Sequence, residues 1–177
     1  MPFPSWIYFP LNEAPPDWAR SLVDVVAAVP AISTEKTKTG LSSDAVLAAL
    51  APGLMTLQYD VEAGKKQNAK VRRPVLFGEG GRQELEFQID AFHDGEGIVL
   101  EVEAGRGAKG NATYRDLIRT GLIVNARFLA LLLPVAYRFG TKEITSRAYD
   151  ECNSLLRAVY ASQRLKLPFD GVLLIGY

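Results

Sequence analysis

Residues 84–104 constrain the fold more than any other stretch of the chain. Leu85, Phe87, Ile89 and Ala91 alternate with Glu84, Glu86, Gln88 and Asp90, the period-two pattern of a half-buried strand. Asp94-Gly95-Glu96-Gly97 supplies turn residues, and 98–104 returns as the second strand of a hairpin. A turn centred on Gly95-Glu96 places Asp90 opposite Glu101, whereas one centred on Asp94-Gly95 places Gln88 there. In both registers Glu84, Glu86, Asp90, Glu101 and Glu103 share one face. Leu85, Phe87, Ile89, Leu100 and Val102 form the other, which is expected to meet the core.

The rest of the chain supplies elements to pack against that hairpin. Trp18, Leu22, Val25, Val26 and Val29 recur at helical spacing between Asp17 and Pro30. A second short helix is expected over 45–50, stopped by Pro52-Gly53, with strands over 55–62 and 71–77 before the hairpin. A helix beginning near Asn111 should turn Tyr114, Leu117, Ile118, Gly121 and Leu122 to the core. The apolar run from Phe128 reads as a buried parallel strand, Thr145 as the cap of a last helix, and 171–177 as a closing strand. Together these predict one α/β domain over 1–177. Its mixed β-sheet has an antiparallel meander and a strand-helix-strand crossover, right-handed by rule, with helices packed on it.

Composition narrows the chemistry. The 177 residues carry 20 basic and 20 acidic side chains, one His and one Cys. One cysteine makes no internal disulfide, and one His with one Cys cannot build a zinc site within a chain. Any metal has to be held by carboxylate oxygen. A net charge of zero excludes a broadly basic coat for nucleic acid, yet half of all the charge falls within residues 61–120. The amino terminus lacks a basic region and a continuous apolar run, and the apolar run 128–136 is far short of the roughly 20 residues a membrane span needs. No membrane association and a cytoplasmic location are the expectations.

Five carboxylates on one hairpin face repel one another and destabilise the sheet. They persist if they are solvated, neutralised by Lys and Arg, or paired with a divalent cation. A Mg²⁺ ion takes one or two carboxylates and keeps several waters, so an Asp on one strand and a Glu on the next suffice to hold it. Asp90, ten intervening residues and then Glu101-Val102-Glu103 resembles the PD-(D/E)xK nuclease superfamily, as does the element order of helix, meander, crossover helix and strand. The resemblance implies a restriction-endonuclease-like fold and a Mg²⁺-dependent endonuclease that hydrolyses DNA phosphodiester bonds, with Mn²⁺ able to substitute. It implies Asp90 and Glu101 as metal ligands, with the Val102 carbonyl as a third. The third motif position, usually Lys, is Glu103, similar to restriction enzymes of the Bam and Bgl type, where it orients or deprotonates the attacking water. An upstream acid of that type corresponds to Glu84 or Glu86. A homodimer is expected if both strands of a symmetric site are cut. A non-catalytic binding protein that keeps the fold is the alternative.

Basic residues around the hairpin are candidates for DNA-backbone contact: Lys65, Lys66, Lys70, Arg72 and Arg73 in one cluster, and Arg115 and Arg119 one helical turn apart. Arg106 and Lys109 lie in Gly105-Arg106-Gly107-Ala108-Lys109-Gly110, and either could replace the motif Lys. That loop matches G-x-G-x-x-G, but the preceding strand carries Glu101 and Glu103, unlike a first dinucleotide-binding strand buried on both faces. His93 falls at the hairpin turn and Cys152 on an apolar helix face, which makes them a turn residue and a core residue.

Overall fold

The computed structural model describes residues 3–35, 40–64, 69–104, 111–139, 144–162 and 164–177. Its strands are β1 (Ser5–Phe9), β2 (Asp60–Val61), β3 (Val71–Phe77), β4 (Gln83–Ile89), β5 (Ala91–His93), β6 (Ile98–Val102), β7 (Phe128–Leu133), β8 (Tyr137–Phe139), β9 (Ile144–Ser146) and β10 (Gly171–Gly176). The α-helices are α1 (Asp17–Ala27), α2 (Ser43–Thr56), α3 (Ala112–Leu122) and α4 (Ala148–Ala161). Six strands form a mixed sheet in the order β1-β10-β7-β6-β5-β2. Its centre, β6-β7-β10, is parallel, and β1 and β5 flank it antiparallel. The chain is α/β, as the sequence predicts. No described helix is long and apolar enough to cross a membrane.

Helices cover both faces of the sheet, which is why β6, β7 and β10 are buried throughout. On one face Leu22 and Val26 of α1 and Leu47, Leu50 and Leu54 of α2 pack with Leu100, Val102, Ala130, Leu132 and Leu173. On the other, Leu117 of α3 and Ala148, Cys152 and Leu156 of α4 pack with Val99, Leu129, Leu131, Val172 and Leu174. Alternation along β6 therefore sends Glu101 to the α3 side, into a covered interior instead of solvent.

Four local expectations are corrected. Helix α2 runs through Pro52-Gly53 to Thr56, and the strand read over 55–62 shrinks to β2. Another helical turn fully buries Leu54, and Gly53 lets α1 approach closely, since a Cβ there would lie 2.7 Å from Val25 Cγ1. The meander is not one sheet, because β3 and β4 form a separate ribbon. The chain bends at Asp90, so that Ile89 and Phe92 enter the same core although three residues apart in the strand would place them on opposite faces. Leu85, out on the ribbon, is 43% exposed. Helix α3 is rotated from the expected orientation: Tyr114, Ile118 and Leu122 are 53%, 65% and 51% exposed, while Ala112, Asp116, Leu117 and Thr120 turn inward. On the inward side Arg115 pairs with Asp116 and with Glu103, just past the strand beneath. Finally, no side chain caps α4, and Thr145 belongs to β9.

The β5–β6 turn fixes the register on which the acidic face depends. Ala91 pairs with Leu100 and His93 with Ile98, the alignment that brings Asp90 beside Glu101. Gly97 closes the turn at φ +69°, its N–H donating to the His93 carbonyl at 2.8 Å and its own carbonyl accepting from Arg127 N at 2.7 Å. A Cβ there would lie 2.4 Å from the Asn125 carbonyl oxygen. Gly97→Ala is expected to cost about 2 kcal/mol or more, from a left-handed backbone and a backbone collision together. A urea titration that finds less than about 0.5 kcal/mol refutes that account of the turn.

Candidate functional site: an open acidic cavity

A cavity of about 390 Å³ opens where β4, β6 and α3 meet, lined by Ser43, Gln88, Ile89, Asp90, Glu101, Val102, Glu103, Arg115 and Arg119. Asp90 sits at the bend between β4 and β5, and its Oδ2 accepts from the Val102 N–H at 2.7 Å. That bond ties the acid of one strand to the backbone of the next. Glu101 is 8% exposed and Glu103, just past the end of β6, is 9% exposed. Glu103 is held at its backbone, donating from N to the Leu132 carbonyl at 3.0 Å and accepting at its carbonyl from Tyr177 Oη at 2.8 Å.

Asp116 of α3 joins this group and is fully buried. Its Oδ1 accepts from Arg115 Nε at 3.0 Å, and among the described residues its Oδ2 has no donor. Arg115 Nη2 reaches on to Glu103 Oε1. Arg119 donates to the Gln88 carbonyl, with its guanidinium 5.2 Å from the centre of the Phe87 ring.

All four carboxyl groups hold their protons more tightly than an exposed acid. Burial, and secondarily Glu62, Asp116 and Asp44, lifts Asp90 to about 6 against the pull of the Val102 N–H. Burial also drives Glu101 well above the ordinary carboxylate range, reinforced by Asp90 and Asp116. Glu103 rises to about 7 through burial and Asp116, with Arg115 opposing. Asp116 is raised by burial, again against Arg115. Acids in such surroundings ionise at higher pH than exposed ones, and a nearby cation favours their ionised form.

The donor set is hard oxygen, which suits Mg²⁺ or Mn²⁺ and not zinc. Among the described residues no three His, Cys, Asp or Glu side chains gather around one ion-sized position. Asp90 and Glu101 are the residues that would hold such an ion, since Mg²⁺ needs only one or two carboxylates. Val102 lines the same cavity.

The remaining candidates divide. Arg115 and Arg119 line the cavity. Lys70, Arg72 and Arg73 instead form ion pairs with Glu62, with Glu86 at 2.5 Å, and with Asp60 and Asp94 at 2.6 and 2.7 Å. Glu84 and Glu86 stand on the ribbon, outside the cavity lining. Glu62 lies nearer the site, donating from its backbone N to the Asp90 carbonyl at 2.8 Å and accepting from Gln88 Nε2 at 3.0 Å. Lys65, Lys66, Arg106 and Lys109 fall outside the described residues. His93 serves its turn, accepting from Glu96 N at 3.0 Å, and Cys152 is buried in the core.

Sequence reasoning missed Asp116. The available signal was the Asp116–Thr120 pair one turn apart, a polar stripe competing with Tyr114–Ile118–Leu122 for the inward face of α3. No protein-family model matches the chain, and no curated protein matches it.

Proposed function

We propose that the chain is a divalent-cation-dependent endonuclease that hydrolyses DNA phosphodiester bonds, built on a PD-(D/E)xK-like core. One observation carries the reading: Asp90, Glu101 and Glu103 line a single cavity together with Arg115 and Arg119. That is an acidic cation site with phosphate-binding groups beside it. A strand-helix-strand crossover through α3 next to an antiparallel hairpin supports it. DNA as partner, a homodimer for cutting both strands, and a cytoplasmic setting belong to the same proposal.

In this reading Asp90 and Glu101 would hold Mg²⁺, and the Val102 carbonyl would be a third donor. The bound ion supplies positive charge beside the phosphate and acidifies water. Arg115 and Arg119 bind phosphate oxygens and set the backbone in the cavity. Glu103 orients the attacking water and takes its proton. Its affinity for protons, centred at about 7, lets it accept and release one near neutral pH.

The test is supercoiled plasmid incubated with millimolar Mg²⁺ or Mn²⁺, or with chelator, using wild type and Asp90→Ala. Nicked and linear DNA should form only with the cation. Removing an outer partner of a metal ligand costs about 10–100-fold, so Asp90→Ala should lose at least about 100-fold. Cation-independent cutting, or cutting that survives the substitution, sinks the proposal. Metal and DNA binding without any cutting would select the non-catalytic binding protein instead.

A further inference from the structure

We infer that Asp116 and Arg115 form a positioning relay for Glu103, in which the Asp116 carboxylate orients the Arg115 guanidinium and the guanidinium fixes the Glu103 side chain at the cavity. The inference rests on the hydrolytic reading above and names the residues that would orient Glu103 within it.

Geometry carries it. Consecutive residues on a helix do not face each other, yet Arg115 folds back so that its Nε meets Oδ1 of Asp116 at 3.0 Å. From there Nη2 extends to Glu103 Oε1. Two different nitrogens of one planar fork thus hold two different carboxyl groups, a constraint that a single ammonium cannot reproduce. Asp116 has no exposure and does not line the cavity, so it acts through Arg115 and Glu103 and not on substrate. Among the described residues its second oxygen, Oδ2, accepts no hydrogen bond, so Arg115 is its one recorded side-chain partner. Burying an acid beside other acids burdens the fold, so its placement calls for a role beyond packing. Holding Glu103 in one orientation is such a role, because a catalytic group misplaced by a fraction of an ångström loses rate.

Three full-length variants test the relay, each first shown to be folded by circular dichroism. Asp116→Leu should lower kcat for DNA cutting about 10–100-fold with KM little changed, as loss of an orienting partner does. Asp116→Asn keeps an oxygen to accept from Arg115 Nε and should recover most of that loss. Arg115→Lys should fall as far as Asp116→Leu despite keeping its charge. A second readout needs no activity: the Arg115 Nε–H resonance, identified by its absence in Arg115→Lys, should be protected from exchange in wild type and Asp116→Asn. In Asp116→Leu it should exchange like a solvated arginine.

If wild type cuts and Asp116→Leu cuts equally fast, the relay is overturned and the nuclease reading stands. If wild type cuts no DNA with either cation, the nuclease reading falls, and the Nε–H resonance decides the relay alone. A resonance unchanged in Asp116→Leu overturns it.

Discussion

Asp90→Asn is expected to melt about 5–10 °C above wild type near pH 8 in chelator, and no higher than wild type near pH 4. Burial lifts the Asp90 carboxyl from 3.8 to about 6. Between those two values the folded chain binds more protons than the unfolded one, so stability falls as pH rises through that window and stays lower above it. For Asp90 alone the loss is on the order of 3 kcal/mol, and a chain of this size gains about 2–4 °C per kcal/mol. Asparagine removes the charge and keeps an oxygen to accept the 2.7 Å bond from the Val102 N–H, so the backbone tie between strands survives. Below about pH 4 the wild-type carboxyl is itself neutral, and the advantage vanishes. Thermal melts of both proteins across this range check the result. A variant less stable than wild type at pH 8 means that the acids are already compensated within the chain. The same substitution removes a proposed cation ligand, so stability and activity should move in opposite directions.

The second large effect is the answer of the wild type to divalent cation. Without it, stability should decline from about pH 4 to about pH 7 as Asp90, centred near 6, and Glu103, centred near 7, give up their protons. The direction is opposite to that of salt-bridged carboxylates, which gain stability as pH rises to about 5 and are level above it. A cation that binds the ionised acids reverses the decline. At a hundredfold excess over its dissociation constant it adds about 2.7 kcal/mol, or about 5–10 °C here. The gain should be full above about pH 7 and absent near pH 4, where protons occupy the same oxygens. Chelator should abolish it, and so should Glu101→Gln. If Mg²⁺ and Mn²⁺ leave the melting temperature unchanged at pH 8, or if Glu101→Gln responds as wild type does, these acids hold no cation.

Much of the site was legible from periodicity. Alternation placed Asp90, Glu101 and Glu103 on one face but left two registers open, and the folded hairpin adopts the one that sets Asp90 beside Glu101. Glu84 and Glu86 obey the same alternation but stand outside the cavity, because the bend at Asp90 separates β4 from the main sheet. Nothing local to 84–90 announces that bend. The basic residues show a similar limit. Arg72 and Arg73 form part of a charge cluster in sequence, yet Arg73 is paired across the fold with Asp60 and Asp94, and Arg72 with Glu86.

What the sequence determined by itself is which residues share a face. A period of two or of 3.6 is a property of the backbone and needs no tertiary information. What only the tertiary structure decided is which face turns inward. Helix α3 offers an apolar stripe and a polar one, and burying Tyr114, Ile118 and Leu122 would be the better choice against an apolar sheet. Over a strand carrying Glu101 and leading into Glu103 the polar stripe turns inward, where Arg115 pairs with both Asp116 and Glu103. That choice brings Asp116 and Arg115 to the site, and it follows from the packing of α3 over β6.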